Sequence, residues 1–111
     1  MASRNERLLL DALGLQGVAS GHRCLNLSEC VSWEEFPDYA QELLAFIHGS
    51  KISGVDGPDM RLWQVQVEGI GLHLVYDDYP QMVSLESDSD AGDRVLQQLN
   101  SRLSRIGSDL P

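Results

Sequence analysis

The segment Arg61–Glu86 constrains the fold most, because its apolar and polar residues alternate through three successive stretches. From Trp63 to Val67 the apolar residues alternate with polar ones, which places the apolar set on one face of a β-strand. The alternation resumes after Gly69, a residue that allows the positive φ of a tight hairpin turn. A third stretch, Gln81–Glu86, follows another turn. We therefore predict three consecutive antiparallel strands as the centre of the fold.

A helix is predicted before this sheet, opened by Ser32 and Glu35 in the spacing of a capping box. Its apolar residues recur at the helical period and form a stripe wide enough to pack on a sheet: Phe36, Tyr39, Ala40, Leu43, Leu44 and Ile47. Because Pro37 fits only the first turn, we expect the regular helix to begin at the first residues of this stripe. Gly49 is placed to end it, and the Gly- and Pro-containing segment Lys51–Met60 is predicted to be a surface loop.

A second long helix is predicted after the serine- and aspartate-rich run Ser87–Asp90. Its apolar stripe consists of Val95, Leu96, Leu99, Leu103 and Ile106. Acidic residues in its first turn and arginines in its last turn suit the helix dipole, and Gly107 is placed to end it. Nearer the N-terminus, His22–Ser28 is predicted to be a strand and the leucine-rich segment Glu6–Leu15 a short helix.

The predicted fold is α+β: a two-layer sandwich with an antiparallel sheet of about four strands, two longer helices on one face and a short N-terminal helix. The length of 111 residues suits one domain. We place an N-terminal helix or extension at 1–20, the single α+β domain at 21–107 and a tail at 108–111. The other face of the sheet is expected to meet water or a partner through Gln64, Gln66, Glu68 and His73.

The chain is strongly acidic, with 17 Asp and Glu against 8 Lys and Arg and a formal net charge of -9. Binding to nucleic acid or to an anionic membrane depends on clustered Lys and Arg, so this charge argues against both partners. It favours a basic protein as the partner. No apolar run approaches the roughly 18 residues of a membrane-spanning helix, and no secretory signal is recognisable. We therefore expect a cytoplasmic protein.

The residues that most often carry chemistry do not form a familiar motif. Cys24 and Cys30 match no common zinc or redox spacing and are expected to be free thiols. His22, His48 and His73 are not paired at a zinc spacing either. No phosphate loop, dinucleotide fingerprint or nucleophile elbow occurs. The sequence therefore indicates no cofactor and no catalytic residue, and an enzyme is not the favoured class.

An acidic stretch between Asp77 and Asp93 lacks Lys and Arg and contains six carboxylates: Asp77, Asp78, Glu86, Asp88, Asp90 and Asp93. Such a group can bind a divalent cation or face a basic partner. A solvated turn followed by an acidic helix N-terminus is the simpler explanation. The stretch also differs from a calcium loop, because no Glu closes a twelve-residue loop.

Aromatic residues beside turns are further candidates for partner contact, because Trp and Tyr often anchor protein interfaces. Trp33 and Tyr79 are expected to be the most exposed of them. Together with the acidic stretch and the polar sheet face, they define a candidate partner surface: Trp33, His73, Asp77, Asp78, Tyr79, Glu86 and Asp88.

Two segments carry a resemblance to a known family: SWEEFPDYAQELLAFI, and then WQVQVEGIGLHLVYDDYPQMVSLE with a helix after it. The chain resembles a family of short uncharacterised bacterial proteins classed as a domain of unknown function. The similarity spans Leu25–Leu103. It consists of structural features, an aromatic residue before the helix and a W-x-V-x-V hairpin that ends in an acidic turn. The resemblance implies a bacterial cytosolic α+β domain and identifies no catalytic residues.

These observations favour a small acidic cytosolic protein that binds another protein without catalysis, as an adaptor, an inhibitor or an immunity-like protein. One alternative is a metal-binding protein or a small metal-dependent enzyme that uses the stretch Asp77–Asp93 with His73. A second alternative is a dimer similar to the small acidic chaperones of type III secretion, which also begin with a leucine-rich amphipathic helix. The expected oligomeric state is a monomer or a weak homodimer.

Overall fold

A computed structural model of the chain describes residues 8–18 and 20–108 and shows a six-stranded antiparallel sheet with two helices on one face. The elements are β1 Gly14–Gly17, β2 Arg23–Ser28, α1 Phe36–Ile47, β3 Gly49–Asp56, β4 Met60–Val67, β5 Ile70–Asp78, β6 Gln81–Glu86 and α2 Asp90–Ser108. The strand order across the sheet is β1-β2-β6-β5-β4-β3, so β1 and β3 are the two edges. Strand residues outnumber helical residues.

The structure confirms the three consecutive antiparallel strands that the alternation predicts, which are β4, β5 and β6. Val67 pairs with Ile70 across a two-residue turn in which Glu68 has a φ of 55° and Gly69 a φ of 79°. Positive φ at both central residues matches the right-handed twist of the strands, which is why this turn joins them tightly. From this turn the register continues without a shift to the pair Met60 and Asp77.

The hydrophobic core lies between one face of the sheet and both helices. A single row of paired residues crosses four strands there: Leu25, Leu85, Leu74 and Trp63. The side chains of this row are buried, and so are those that cover it from α1 and α2, among them Phe36, Leu43, Leu96 and Leu99. Burial of each such leucine or aromatic side chain contributes about 1.5–3 kcal/mol. The row therefore fixes which face of each strand points to the helices.

The first helix begins as the sequence predicts. The N–H of Ser32 donates to Oε1 of Glu35 at 3.0 Å, and the N–H of Glu35 donates to Oγ of Ser32 at 3.2 Å, which is a reciprocal capping box. Helix α1 then starts at Phe36 with Pro37 in its first turn. It ends differently, because His48 and not Gly49 adopts the left-handed conformation, with a φ of 57°.

Gly49 is needed for packing instead. A Cβ atom at this position would lie 2.9 Å from Cδ2 of Leu44 and 3.0 Å from the carbonyl oxygen of Gln66. The close approach of α1 to the start of β3 therefore requires glycine at the first residue of the strand.

The prediction of about four strands and an N-terminal helix is wrong. Leu8–Leu15 contains no helix, and Gly14–Gly17 forms the edge strand β1 beside β2. The predicted helix also included Glu6 and Arg7, which lie outside the described residues. An isolated helix of about ten residues is only marginally stable. Tertiary contacts hold this segment in a non-helical conformation instead: Leu8 is buried in the core, and the N–H of Ala12 donates to the carbonyl of Leu27. The chaperone-like dimer rested on that helix and is not retained.

The predicted loop Lys51–Met60 is also wrong over most of its length, because Gly49–Asp56 forms β3. The strand shows no alternating pattern for two reasons. It lies at the sheet edge with nearly every residue exposed, and its register shifts between Lys51 and Ser53, which leaves Ile52 as a bulge. Exposure and the bulge together remove the period of two from the sequence.

Truncation at the centre of the core tests this packing. We expect Leu74→Ala, at a fully buried position, to lower the free energy of unfolding by about 2–5 kcal/mol. Val55→Ala removes an exposed side chain from β3 and is expected to change it by no more than about 0.5 kcal/mol. Chemical denaturation of both variants measures the difference, and similar losses for the two would contradict the placement of the core.

Candidate functional site

The face of the sheet opposite the helices is not covered by either described helix. We call it the open face. The register of the strands places four rows on it: Ser50, Gln66 and Gly71; Cys24, Glu86, His73, Gln64 and Ser53; Asn26, Ser84, Val75, Leu62 and Val55; and Met82, Asp77 and Met60. The prediction that this face carries Gln64, Gln66 and His73 is confirmed, whereas Glu68 lies in the β4–β5 turn. The face also carries apolar residues that the prediction did not include.

Five of these residues form an apolar band across β3, β4, β5 and β6: Val55, Met60, Leu62, Val75 and Met82. Val55 is 66% exposed and Met60 39% exposed, whereas Leu62 and Met82 are half-buried and Val75 is buried between its neighbours. The only indication of this band in the sequence is the alternation along the strands. Met60, Leu62 and Val75 occupy the positions of β4 and β5 whose side chains point away from the core.

One end of the band is acidic and carries the most exposed aromatic residue. Tyr79 follows β5 and is 92% exposed. Beside it, the N–H of Asp78 donates to the carbonyl of Asp59 at 2.9 Å, which joins the β5–β6 turn to the β3–β4 turn. Partial burial raises the pKa of the Asp77 carboxyl, and the nearby charge of Asp59 raises it further. A cation placed at this end would offset both effects.

The other end of the open face carries His73, Glu86 and Asp88. His73 pairs with Glu86 across β5 and β6, and its Nε2 atom lies 3.4 Å from Oδ2 of Asp88. The Nδ1 atom of His73 is buried and has no hydrogen-bond partner among the described residues. His73 and Asp77 lie four positions apart on β5, about 13 Å at roughly 3.3 Å per residue. The open face therefore carries carboxylates at two places, with Leu62 and Val75 in the row between them.

Trp33 does not join this surface. Its ring is half-buried and packs edge-on against Tyr76 with the ring centroids 6.0 Å apart. The guanidinium of Arg61 lies 4.9 Å above the same ring and donates to the carbonyl of Trp33 at 2.8 Å. Tyr76 and Arg61 point to the helix side of the sheet. The residues proposed from the sequence as one partner surface are thus divided: Asp77 and His73 with Glu86 lie on the open face, whereas Trp33 and Asp78 lie on the helix side, where Asp78 accepts a hydrogen bond from the Tyr76 hydroxyl at 3.2 Å.

A second cluster of ionisable residues lies where the start of β2 meets the start of α2. Nδ1 of His22 lies 2.9 Å from Oδ2 of Asp93, whose other oxygen accepts the N–H of Arg23 at 2.9 Å. The hydrogen bond to Asp93 raises the pKa of His22, and the same bond lowers the pKa of Asp93. The exposed Asp90 completes a group whose ligand atoms all lie within 4.8 Å of one another. Sequence reasoning missed this group because 71 positions separate His22 from Asp93.

The two cysteines are both free, Cys24 buried and Cys30 exposed. Burial raises the pKa of the Cys24 thiol. The Cys30 thiol donates to Oδ2 of Asp11 at 3.3 Å, and this hydrogen bond to a carboxylate raises its pKa as well. Because the thiolate is the nucleophilic form, both environments disfavour cysteine chemistry.

The pairing of His22 with Asp93 has a measurable consequence for titration. We expect NMR titration to place the pKa of His22 above the ordinary value of about 6.5, and Asp93→Asn to bring it back towards that value. Asp88→Asn makes the same change in charge farther from the ring and is the matched control, with a smaller effect. Equal shifts in the two variants would contradict the assigned hydrogen bond.

The sign of the stability effect follows from these shifts. A raised pKa of His22 contributes stability that is fully present below about pH 6.5 and is lost as the pH rises through the folded-state pKa. The lowered pKa of Asp93 contributes stability that is present above about pH 3.8 and is lost as the pH falls through its folded-state value. We therefore expect the pair to stabilise the fold most in mildly acidic solution, and Asp93→Asn to remove this dependence from unfolding curves.

Comparison with known proteins gives a family and no function. No curated protein and no solved structure matches the chain. None of the helices in the described part of the chain is long and apolar enough to cross a membrane. The family described as "Protein of unknown function (DUF3630)" matches residues 13–104, which include all six strands and most of α2. The resemblance to a domain of unknown function is thereby confirmed, and the chain belongs to this family.

Proposed function

We propose that this protein is a non-catalytic protein-binding module that binds a basic partner on the open face. One observation carries the proposal: an apolar band lies on an uncovered sheet face between two groups of carboxylates. A sheet face that only meets water would carry polar residues at these positions. Roles as an adaptor, an inhibitor or an immunity-like protein all need such a surface, and a bacterial cytoplasmic setting suits each of them.

The apolar band supplies the contact area of the proposed interface. Exposed apolar side chains that are rimmed by polar ones are typical of protein interaction sites. Methionine adapts its shape to an irregular partner, and Met60 and Met82 flank Asp77 in the same row. Tyr79, which is almost fully exposed beside them, can insert into a pocket of the partner as an anchor.

The carboxylates select the partner by charge. The net charge of -9 and the acidic ends of the band attract a basic surface and repel a second copy of this chain. The partly buried Asp77 gains most from a cationic side chain, because its carboxyl is already desolvated. A heterologous basic protein therefore fits this surface better than a homodimer does.

Site-directed crosslinking in cells tests the proposed face directly. We expect a photoreactive residue at Met82 to capture a basic protein, and the same residue at Gln97, exposed on α2, not to capture it. Binding of the purified partner is expected to weaken as the salt concentration rises. Capture of the same partner from both positions, or binding that does not respond to salt, would refute the proposal.

A pair of variants with equal charge changes measures the role of the acidic end. Asp77→Asn adds one unit to the net charge on the open face and is expected to lower the affinity for the captured partner about tenfold. Gln97→Lys adds the same charge on the exposed side of α2 and is expected to lower it by less than about twofold. Equal losses in the two variants would show that only net charge matters.

A divalent-cation site is the second candidate function, favoured by the grouping of His22, Asp90 and Asp93. Imidazole and carboxylate ligands together suit Zn²⁺ or Mn²⁺. If the site binds, Zn²⁺ at about 100 times its dissociation constant should stabilise the fold by roughly 2.7 kcal/mol in a thermal-shift measurement. His22→Gln should abolish the shift and His73→Gln should not. No shift with either metal would remove this function.

A further inference from the structure

We propose that the outer edge of β3 accepts an extended segment of the basic partner as a seventh strand of the sheet. The inference rests on the proposed function, because the added strand would continue the open face beyond Val55. It specifies the form of the partner segment: a strand in which apolar residues alternate with Lys or Arg. Backbone hydrogen bonds would supply affinity, and the alternating side chains would supply specificity.

In the described part of the chain nothing pairs with the outer edge of β3, and the two features that protect an edge strand, a lysine and a bulge, lie at its start. Among the described residues only β4 pairs with β3, and seven of its eight positions are exposed, including Ile52 at 56%. Lysines often block such edges, but Nζ of Lys51 lies 4.0 Å from the ring centroid of Trp63, over the helix side of the sheet. The bulge at Ile52 interrupts only the start of the strand. Ser53–Asp56 stays regular.

The hairpin geometry identifies which backbone groups point outward. The N–H of Gly57 donates to the carbonyl of Met60 at 2.7 Å, which closes the β3–β4 turn. Hydrogen-bonded and non-hydrogen-bonded pairs alternate along an antiparallel ladder, so Val55 forms the next hydrogen-bonded pair, with Leu62. Gly54 and Asp56, on either side of Val55, belong to the non-hydrogen-bonded pairs. Their N–H and C=O groups therefore point away from β4. These groups are the template for an added strand.

The side chains along the edge define the chemistry of that strand. On the open face the added residues would lie beside Val55, so they should be apolar. On the other face the residue that pairs with Asp56 would lie beside its carboxylate, which stays 53% exposed although Arg61 contacts it at 3.1 Å, so this residue should be basic. A second copy of the chain would bring a net charge of -9 to the same edge and is disfavoured.

A proline substitution separates the backbone contact from the side-chain contact. Asp56→Pro and Asp56→Ala both remove the ion pair with Arg61, but only the proline removes the outward N–H. The probe is a synthetic peptide in which lysine and valine alternate, and its control has the same composition with all lysines before all valines. We expect the alternating peptide to bind at least about tenfold more weakly to Asp56→Pro than to Asp56→Ala.

Hydrogen exchange of the unmodified protein gives an independent measurement. The alternating peptide should slow amide exchange at Gly54 and Asp56 by at least about tenfold at saturation, and the control peptide should not. An alternating peptide with N-methyl groups on its backbone should lose this effect, which keeps the test valid if Asp56→Pro fails to fold.

The outcomes distinguish the inference from the proposed function. Equal affinities of the proline and alanine variants, or unprotected Gly54 and Asp56 at saturating peptide, would overturn the added strand. If the peptide shifts the resonances of Leu62 and Val75 without this protection, the open face binds and the edge does not. Protection that grows with protein concentration in the absence of peptide would identify a second copy as the occupant and would also overturn the inference. Crosslinking from Met82 decides the proposed function separately.

Discussion

Burial of one face of the sheet beneath both helices is the constraint on which the rest of this structure depends. The row from Leu25 through Leu85 and Leu74 to Trp63 joins four strands and lies directly under α1 and α2. A one-residue shift of any of these strands would turn its apolar set towards solvent. The row therefore fixes the register of the sheet, and the register in turn fixes which residues occupy the other face.

Placing both helices on one side gives the two faces different roles. The covered face holds the aromatic cluster of Phe36, Trp63 and Tyr76, whose rings pack at centroid distances of 5.4 and 5.5 Å. The open face keeps an apolar band whose residues lie outside this core cluster. Exposed apolar side chains rimmed by polar ones are typical of interaction surfaces, and the proposed function therefore rests on Met60 and Val55, the two exposed residues of the band.

Local sequence patterns were sufficient to predict the elements that depend on interactions between residues close together in the sequence. The capping box of Ser32 and Glu35, the turn at Gly69 and the α2 stripe from Val95 to Leu103 depend on neighbours a few positions apart, and each is present. Tertiary context decided the rest. An exposed edge strand with a bulge has no alternating pattern, so β3 could not be recognised. The N-terminal leucines had a helical pattern, but the core and β2 bind that segment in another conformation.

The candidate site was predictable to a similar degree. Tyr79, Asp77 and Asp78 were identified from a turn and from charge, which are local features, but only Asp77 of the two carboxylates lies on the open face, because neighbouring strand residues point to opposite faces. The pair His22 and Asp93 could not be found, because it forms only when β2 meets the start of α2. Trp33 was misplaced because a position beside a turn does not reveal that Arg61 and Tyr76 cover the ring.

The central claim is that the helices cover one face of the sheet and leave the apolar band of the other in contact with solvent. Line broadening of methyl resonances by a soluble paramagnetic gadolinium chelate measures this contact directly in the free protein. The structure predicts strong broadening for the methyl groups of Val55 and Met60 and little for those of Leu74 and Leu85. Equal protection of all four residues would contradict it, because the open face would then be part of the core.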